Sequence, residues 1–295
     1  MYCKYVDSSK PMKPGFYPIL PIVFMAPSVI LGIFTMHNSD VSTNIWLQNL
    51  AALVTASIVS FIVLSRKKTP KRKSFIFVLT SIVLLILTFF DAGAGNVHRY
   101  LSIGVVHLNI ASIVLPILLI ELERMLTVKN WWSIALVCTG VSALLFLQPD
   151  ASQLTAFSLA SLIFLGRRVT KSVQYAFLAL SVLLSILSWF FLDKLPPVDY
   201  VEGILLMTKE IGIVVFVLAL LSIILLPLPF FLLRTTNNQS TSISLGVYFS
   251  IVLIATFFGN FPVPLLGYGV SPFISYSIAI IWLIKHYRTS QNERS

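Results

Sequence analysis

The sequence predicts an all-α, polytopic membrane protein of about ten transmembrane helices with both termini in the cytoplasm, and three observations carry that prediction. Hydrophobic residues fill 57% of the 295 positions and charged ones 11%, with a mean hydropathy of +0.91, far from the balance of a soluble domain. Apolar runs recur along the whole length, most of them near the roughly 20 residues a helix needs to cross a hydrocarbon core. The loops between them alternate in charge.

The runs fall at 16–36, 44–64, 75–90, 105–120, 131–147, 153–166, 173–192, 204–233, 243–259 and 268–284. They leave a cytoplasmic tail at 1–15, one membrane domain at 16–285 and a second tail at 286–295. Pro18, Pro21 and Pro27 in the first run, with Pro227 and Pro229 in the eighth, predict kinks or frayed ends, because proline removes a backbone donor. Several runs are short, which implies tilted packing, a thin local bilayer or recruitment of flanking residues.

Charge sets the orientation. With both termini inside, the cytoplasmic segments hold Lys4, Lys10, Lys13, the run RKKTPKRK (66–73), Arg124, Lys129, Arg167, Arg168, Lys171, Arg234, Lys285, Arg288 and Arg294, which is 18 of the 21 Lys and Arg. The outside keeps Arg99, Lys194 and Lys209 against seven of the eleven acids, namely Asp40, Asp91, Asp150, Asp193, Asp199, Glu202 and Glu210. This is the asymmetry that membrane insertion imposes on alternating spans. The net charge of +10 is therefore topological and implies no nucleic-acid partner. The 66–73 run is either a plain inside-positive loop or also a contact for anionic lipid headgroups, each cation contributing about 1 kcal/mol. Cys3 and Cys138 lie in a tail and an apolar run, predicting neither a disulfide nor a metal site. The first run lacks a small-residue cleavage pattern and reads as a span, not a signal peptide.

Polar residues gather in the outward segments. AGNVHRYLSIG (94–104) sets Asn96, His98, Arg99 and Tyr100 between the third and fourth runs; these anchor the interface or line a site. In FLQPDASQL (146–154), Pro149 stops one helix and Asp150 is placed to cap the next, or Gln148 and Asp150 face an outward cavity. The acidic loop DKLPPVDYVEG (193–203) leads to TKEIG (208–212), where Lys209 and Glu210 sit at or just below the outer interface, a depth at which ionisable groups are costly. In NFPVPLLGYGVSPFISY (260–276), Gly267, Gly269 and Ser271 allow close backbone approach to a neighbour or ligand.

Taken in order, these stretches resemble the SEDS family of bacterial cell-wall proteins, the group of FtsW, RodA and SpoVE, from about residue 44 onward. VHRYLSIGVVHLN is similar to a family stretch in which two arginines and a tryptophan precede an Ile-Leu-Gly turn and a Leu-Gln-Pro-Ser-Glu helix start. LLFLQPD resembles the family's Leu-Gln-Pro-Asp, TKEIG its Glu-Glu-Leu-Gly, and GYGVSPFISYSIAI its Ser-Tyr-Gly-Gly-Ser-Ser segment.

The resemblance implies a multi-pass protein of the bacterial cytoplasmic membrane that polymerises glycan strands from lipid II at the outer face, in cell division or elongation. It implies as partners a lipid-linked cell-wall precursor, surrounding membrane lipids and a class B penicillin-binding protein or other single-pass protein. That chemistry needs a base for the attacking sugar hydroxyl, and cations or a divalent cation for the leaving lipid pyrophosphate. Carried over, His98, Arg99 and Tyr100 begin the outer cavity, with Arg99 on phosphate. Gln148, Lys209, Glu210, Tyr268 and Ser271 add substrate contacts, and Asp150 is the cavity carboxylate.

Two departures stand out. Where the family carries a Glu and, three residues on, a Lys in its fourth span, this chain has Ser112 and Leu115. The family's large outer loop is cut to about a dozen residues. Its Leu-Pro-Glu-X-His-Thr-Asp stretch ends in the proposed base, whose place falls on Val201 when the comparison is anchored on EIG. Asp199 and Glu202 flank that position and are the replacement catalytic carboxylates if the short loop shifts. Three functions follow: a reduced glycosyltransferase, a non-catalytic scaffold that binds a division or elongation partner, and a lipid flippase or transporter.

Overall fold

The computed structural model describes residues 14–66, 74–91, 97–104, 106–192 and 195–293. Cys3 and its tail, most of the 66–73 run, Asn96, Asp193, Lys194 and Arg294 lie outside the described residues. The apolar runs form helices in the expected order: α1 (Leu20–Asn38), α2 (Thr43–Ser65), α3 (Ser74–Leu87), α4 (Ile110–Leu126), α5 (Trp131–Leu147), α6 (Ala151–Gly166) and α7 (Ser172–Ser188). The eighth run gives α8 (Ile204–Ile211), α9 (Ile213–Ile224) and α10 (Leu228–Leu232), and α11 (Gln239–Ala255) and α12 (Val270–Asn292) complete the bundle. A hairpin of β1 (Tyr100–Ile103) and β2 (Val106–Asn109) joins α3 to α4.

Helices α1 and α2 and the stretch Ile213–Leu232 are each long and apolar enough to cross a membrane. Helices α5, α6, α7 and α11, and α3 with its extension to Phe90, are shorter apolar helices. At about 1.5 Å of rise per residue, the 17 residues of α5 cover about 25 Å, so the bilayer thins or flanking residues extend the span.

The fourth span starts later than the expected residue 105. Residues 106–109 pair instead with 100–103, in the register Tyr100↔Asn109, Leu101↔Leu108, Ser102↔His107 and Ile103↔Val106. Gly104, at φ 62°, supplies the positive φ that so tight a hairpin turn demands. The helix begins at Ile110 because the Asn109 side chain accepts the Ser112 amide at 2.9 Å. At its far end α4 runs on through Glu121, Glu123 and Arg124: the Thr241 hydroxyl donates to Glu123 at 2.8 Å and Arg124 lies 3.9 Å from Glu121.

Prolines act as expected in the eighth run, where Pro227 separates α9 from α10. Gly212 adds an earlier break between α8 and α9. In α1, Pro21 lies in the first turn, where a missing amide is harmless, while Pro27 sits inside a helix that continues past it. Residues 286–292, expected in a tail, continue α12, and Arg288 donates to the Leu64 carbonyl at 2.7 Å, tying its last turns to the end of α2.

Helix α4 is the centre of the bundle, buried on nearly every side by way of Val114, Leu115, Leu118, Leu119 and Leu122. Helices α6 and α11 pack most extensively, joined by the Tyr248 hydroxyl, which donates to Gln153 at 2.5 Å. The hairpin, the α5–α6 junction and the loops before α8 and α12 all meet at the end that the charge pattern assigns to the outside.

Candidate functional site

Arg99 follows from the hairpin. Strand β1 fixes the chain beside the α5–α6 junction, and the guanidinium turns inward, 5% exposed, to donate from Nη2 to the Pro149 carbonyl at 3.0 Å. Its Nε stands 4.0 Å from Oδ2 of Asp150, which is 2% exposed. The other Asp150 oxygen accepts the Gln153 amide at 3.2 Å, so this carboxylate is both the cap of α6 and the counter-charge of Arg99. Gln148 looks the other way, donating through Nε2 to the Leu85 carbonyl at 3.1 Å and the Thr88 hydroxyl at 2.7 Å. It locks the end of α3 to the end of α5.

Glu202 comes from the short outer loop. It is partly buried in the turns before α8, where its carboxylate accepts the Val198 amide at 2.8 Å. Burial raises its pKa above the ordinary carboxylate value, opposed in turn by the Val198 amide, its own amide and the Arg99 charge. The Tyr100 hydroxyl is raised too, chiefly by burial, with Arg99 lowering it and Asp150 and Glu202 raising it. Of these four groups, Arg99 and Asp150 are the pair in direct contact.

The remaining expected residues take other places. His98 stacks on Phe89, ring centroids 6.2 Å apart, and its Nδ1 meets the Asp91 carbonyl at 3.2 Å, so it braces the hairpin against the α3 end. Ser271 accepts the Asn109 amide at 2.9 Å and pins the hairpin to the start of α12. The Tyr268 hydroxyl donates to Gln48 at 2.7 Å, and its amide donates to the Tyr200 carbonyl at 2.9 Å. Asp199 is exposed on the outer turn, and Lys209 and Glu210 are exposed on the last turn of α8.

Backbone contacts hold the short outer loop in place. Val263 donates its amide to the Val201 carbonyl at 3.2 Å, and the Tyr200 and Tyr268 rings meet edge to face at 6.0 Å. Gly267 permits this approach, since an added methyl would collide with the Val201 carbonyl. Asn49 clamps the far side, donating to the Gly267 carbonyl at 3.0 Å and accepting the Gly269 amide at 3.3 Å. Asn49, Gln48, Asn109 and Tyr200 were not singled out from the sequence; the signal for Asn49 was an amide inside an apolar run.

Among the described residues no three His, Cys, Asp or Glu side chains gather as a metal site, and Asp150 and Glu202 already accept amides. What the arrangement supplies is a buried guanidinium for an anion and a partly buried carboxyl of raised pKa for a proton.

No family model matches the chain, and no curated protein does. Four chains of solved structures match it. One is a crystal structure of an aspartate-to-alanine variant of the rod shape determining protein RodA of Thermus thermophilus, with a TM-score of 0.68 and 16% identity over 92% of this chain and 97% of that one. Another, of RodA itself, gives 0.61 and 15% over 92% and 96%. The chain therefore has the fold of RodA over 92% of its length, in agreement with the SEDS resemblance of its sequence.

Proposed function

We propose that this chain is a SEDS-type protein of bacterial cell-wall synthesis that binds a lipid-linked sugar pyrophosphate at the outer membrane face and transfers its glycan to a growing strand. The observation that carries this reading is the buried Arg99–Asp150 pair at the outer end of a RodA fold, with the raised pKa of Glu202 in the loop before α8 beside it as a candidate base. In the step proposed, a sugar hydroxyl oxygen of the acceptor attacks the anomeric carbon of the donor. The bond from that carbon to the lipid pyrophosphate breaks, and the hydroxyl proton passes to Glu202. Arg99, directed by Asp150 and the Pro149 carbonyl, faces the charge that grows on the leaving pyrophosphate.

A carboxyl whose pKa is raised toward working pH is a better base than an ordinary one, and this favours Glu202 over Asp199, which stands exposed, and over Asp150, whose oxygens are engaged. The test is glycan formation from purified lipid II. Glu202→Gln is expected to lower turnover about 100-fold or more with little change in KM, whereas Asp199→Asn leaves it near wild type. A Glu202→Gln protein with full turnover would remove the mechanism.

A second reading has its own observation. Arg99 closes on Asp150 and Pro149, and Gln148 is spent on α3, so the cluster also serves as a structural plug in a non-catalytic scaffold. That reading predicts stable co-purification with a class B penicillin-binding protein and no polymer from clean wild-type protein, alone or with the partner.

A further inference from the structure

At the opposite, cytoplasmic end of the bundle a groove of about 200 Å³ opens between the segment entering α11 and the last turns of α12, with Thr235, Asn237, Lys285, His286 and Glu293 among its walls. Thr235 is 8% exposed and its hydroxyl has no partner, although its amide is satisfied by the Asn238 side chain at 2.6 Å. The Asn238 side-chain nitrogen is likewise buried without one. Leaving buried polar atoms unpaired costs free energy that an incoming oxygen would recover.

Charge divides the groove in two. Thr235 and Asn237 stand where α11 begins, the partly positive end of a helix, and Lys285 adds a cation. Glu293 stands where α12 ends, the partly negative end. Depth is marked by Trp282, whose ring lies 4.5 Å from that of His286 and whose carbonyl meets His286 Nδ1 at 2.9 Å. Tryptophan favours the membrane interface, so the groove, one turn further out, lies at the level of headgroups in the cytoplasmic leaflet.

We propose that this groove is a binding site for the headgroup of a zwitterionic phospholipid, with its phosphate at Thr235 and Lys285 and its amine toward Glu293. An anionic phosphatidylglycerol or a free phosphate supplies the first group and leaves Glu293 unmatched. This site is remote from the outer cluster and does not rest on the function proposed for it.

The test is native mass spectrometry of the full chain in detergent, titrated separately with phosphatidylethanolamine, phosphatidylglycerol and inorganic phosphate. Wild type is expected to retain phosphatidylethanolamine over phosphatidylglycerol. Thr235→Val, which removes a hydroxyl the fold itself does not use, weakens that binding about tenfold without lowering the melting temperature of delipidated protein. Glu293→Gln abolishes the preference. Equal binding of the two lipids by wild type, unaltered binding by Thr235→Val, a preference that survives in Glu293→Gln, or displacement of lipid by millimolar inorganic phosphate would each overturn the proposal.

Discussion

Arg99 Nε and Asp150 Oδ2 stand 4.0 Å apart, both side chains nearly excluded from solvent, although one comes from a hairpin and the other from the start of α6. The pair ties the α3–α4 connection to the α5–α6 junction, and it places the guanidinium at the outer end of the bundle.

Asp150→Asn is expected to destabilise the protein by about 3 to 5 kcal/mol, because it strands a buried cation, while asparagine still caps α6 almost as well as aspartate. Thermal unfolding in detergent, compared with an Arg99→Met/Asp150→Leu double variant, checks this. The double variant should recover much of the loss, and a single-variant effect below about 1 kcal/mol, the range of exposed pairs, would show that the charges are not coupled.

Gln148→Leu should cost about 2 kcal/mol, from two lost hydrogen bonds, and should free the end of α3. Hydrogen exchange at residues 85–90 is the direct readout, with faster exchange expected in the variant and no change at α11.

Gly267→Ala forces a methyl into the Val201 carbonyl and should lift the outer loop at a cost of about 1 to 3 kcal/mol. Proteolysis between 195 and 203 should quicken. Asn49→Ala, which removes the clamp on Gly267 and Gly269, should act in the same direction.

The outer loop should respond to pH through Glu202. Burial raises its pKa in the fold, so the docked loop binds a proton more tightly than an open one. The resulting stabilisation is complete below the ordinary carboxylate pKa and is lost as pH rises through the raised value. Exchange protection of residues 198–203 should therefore fall with rising pH in a window just above the ordinary carboxylate range, and Glu202→Gln should flatten that profile.

Much of this arrangement was legible in the sequence because the forces that set it are local or statistical. Apolar run length gave the ten spans, and the scarcity of outer cations put Arg99, Asp150, Glu202 and Tyr268 at one end, where the structure gathers them. Pro149 followed by Asp150 announced the α6 cap. Long-range bonding was not legible: nothing in the 100–109 stretch shows that it folds back as a hairpin under Ser271, nor that Gln148 reaches Leu85 and Thr88. The outer loop was the hardest case. Register alone put Val201 at the vacant position, and only the three-dimensional path turns its carbonyl to Val263 while Glu202 turns back onto the Val198 amide.

The most direct test of the central claim is the pH dependence of glycan polymerisation from lipid II by purified wild type and Glu202→Gln protein. The account predicts wild-type turnover that rises through a single ionisation above the ordinary carboxylate range, and a residual, pH-independent rate in Glu202→Gln. Wild-type turnover with the same pH profile and rate as the variant would contradict it.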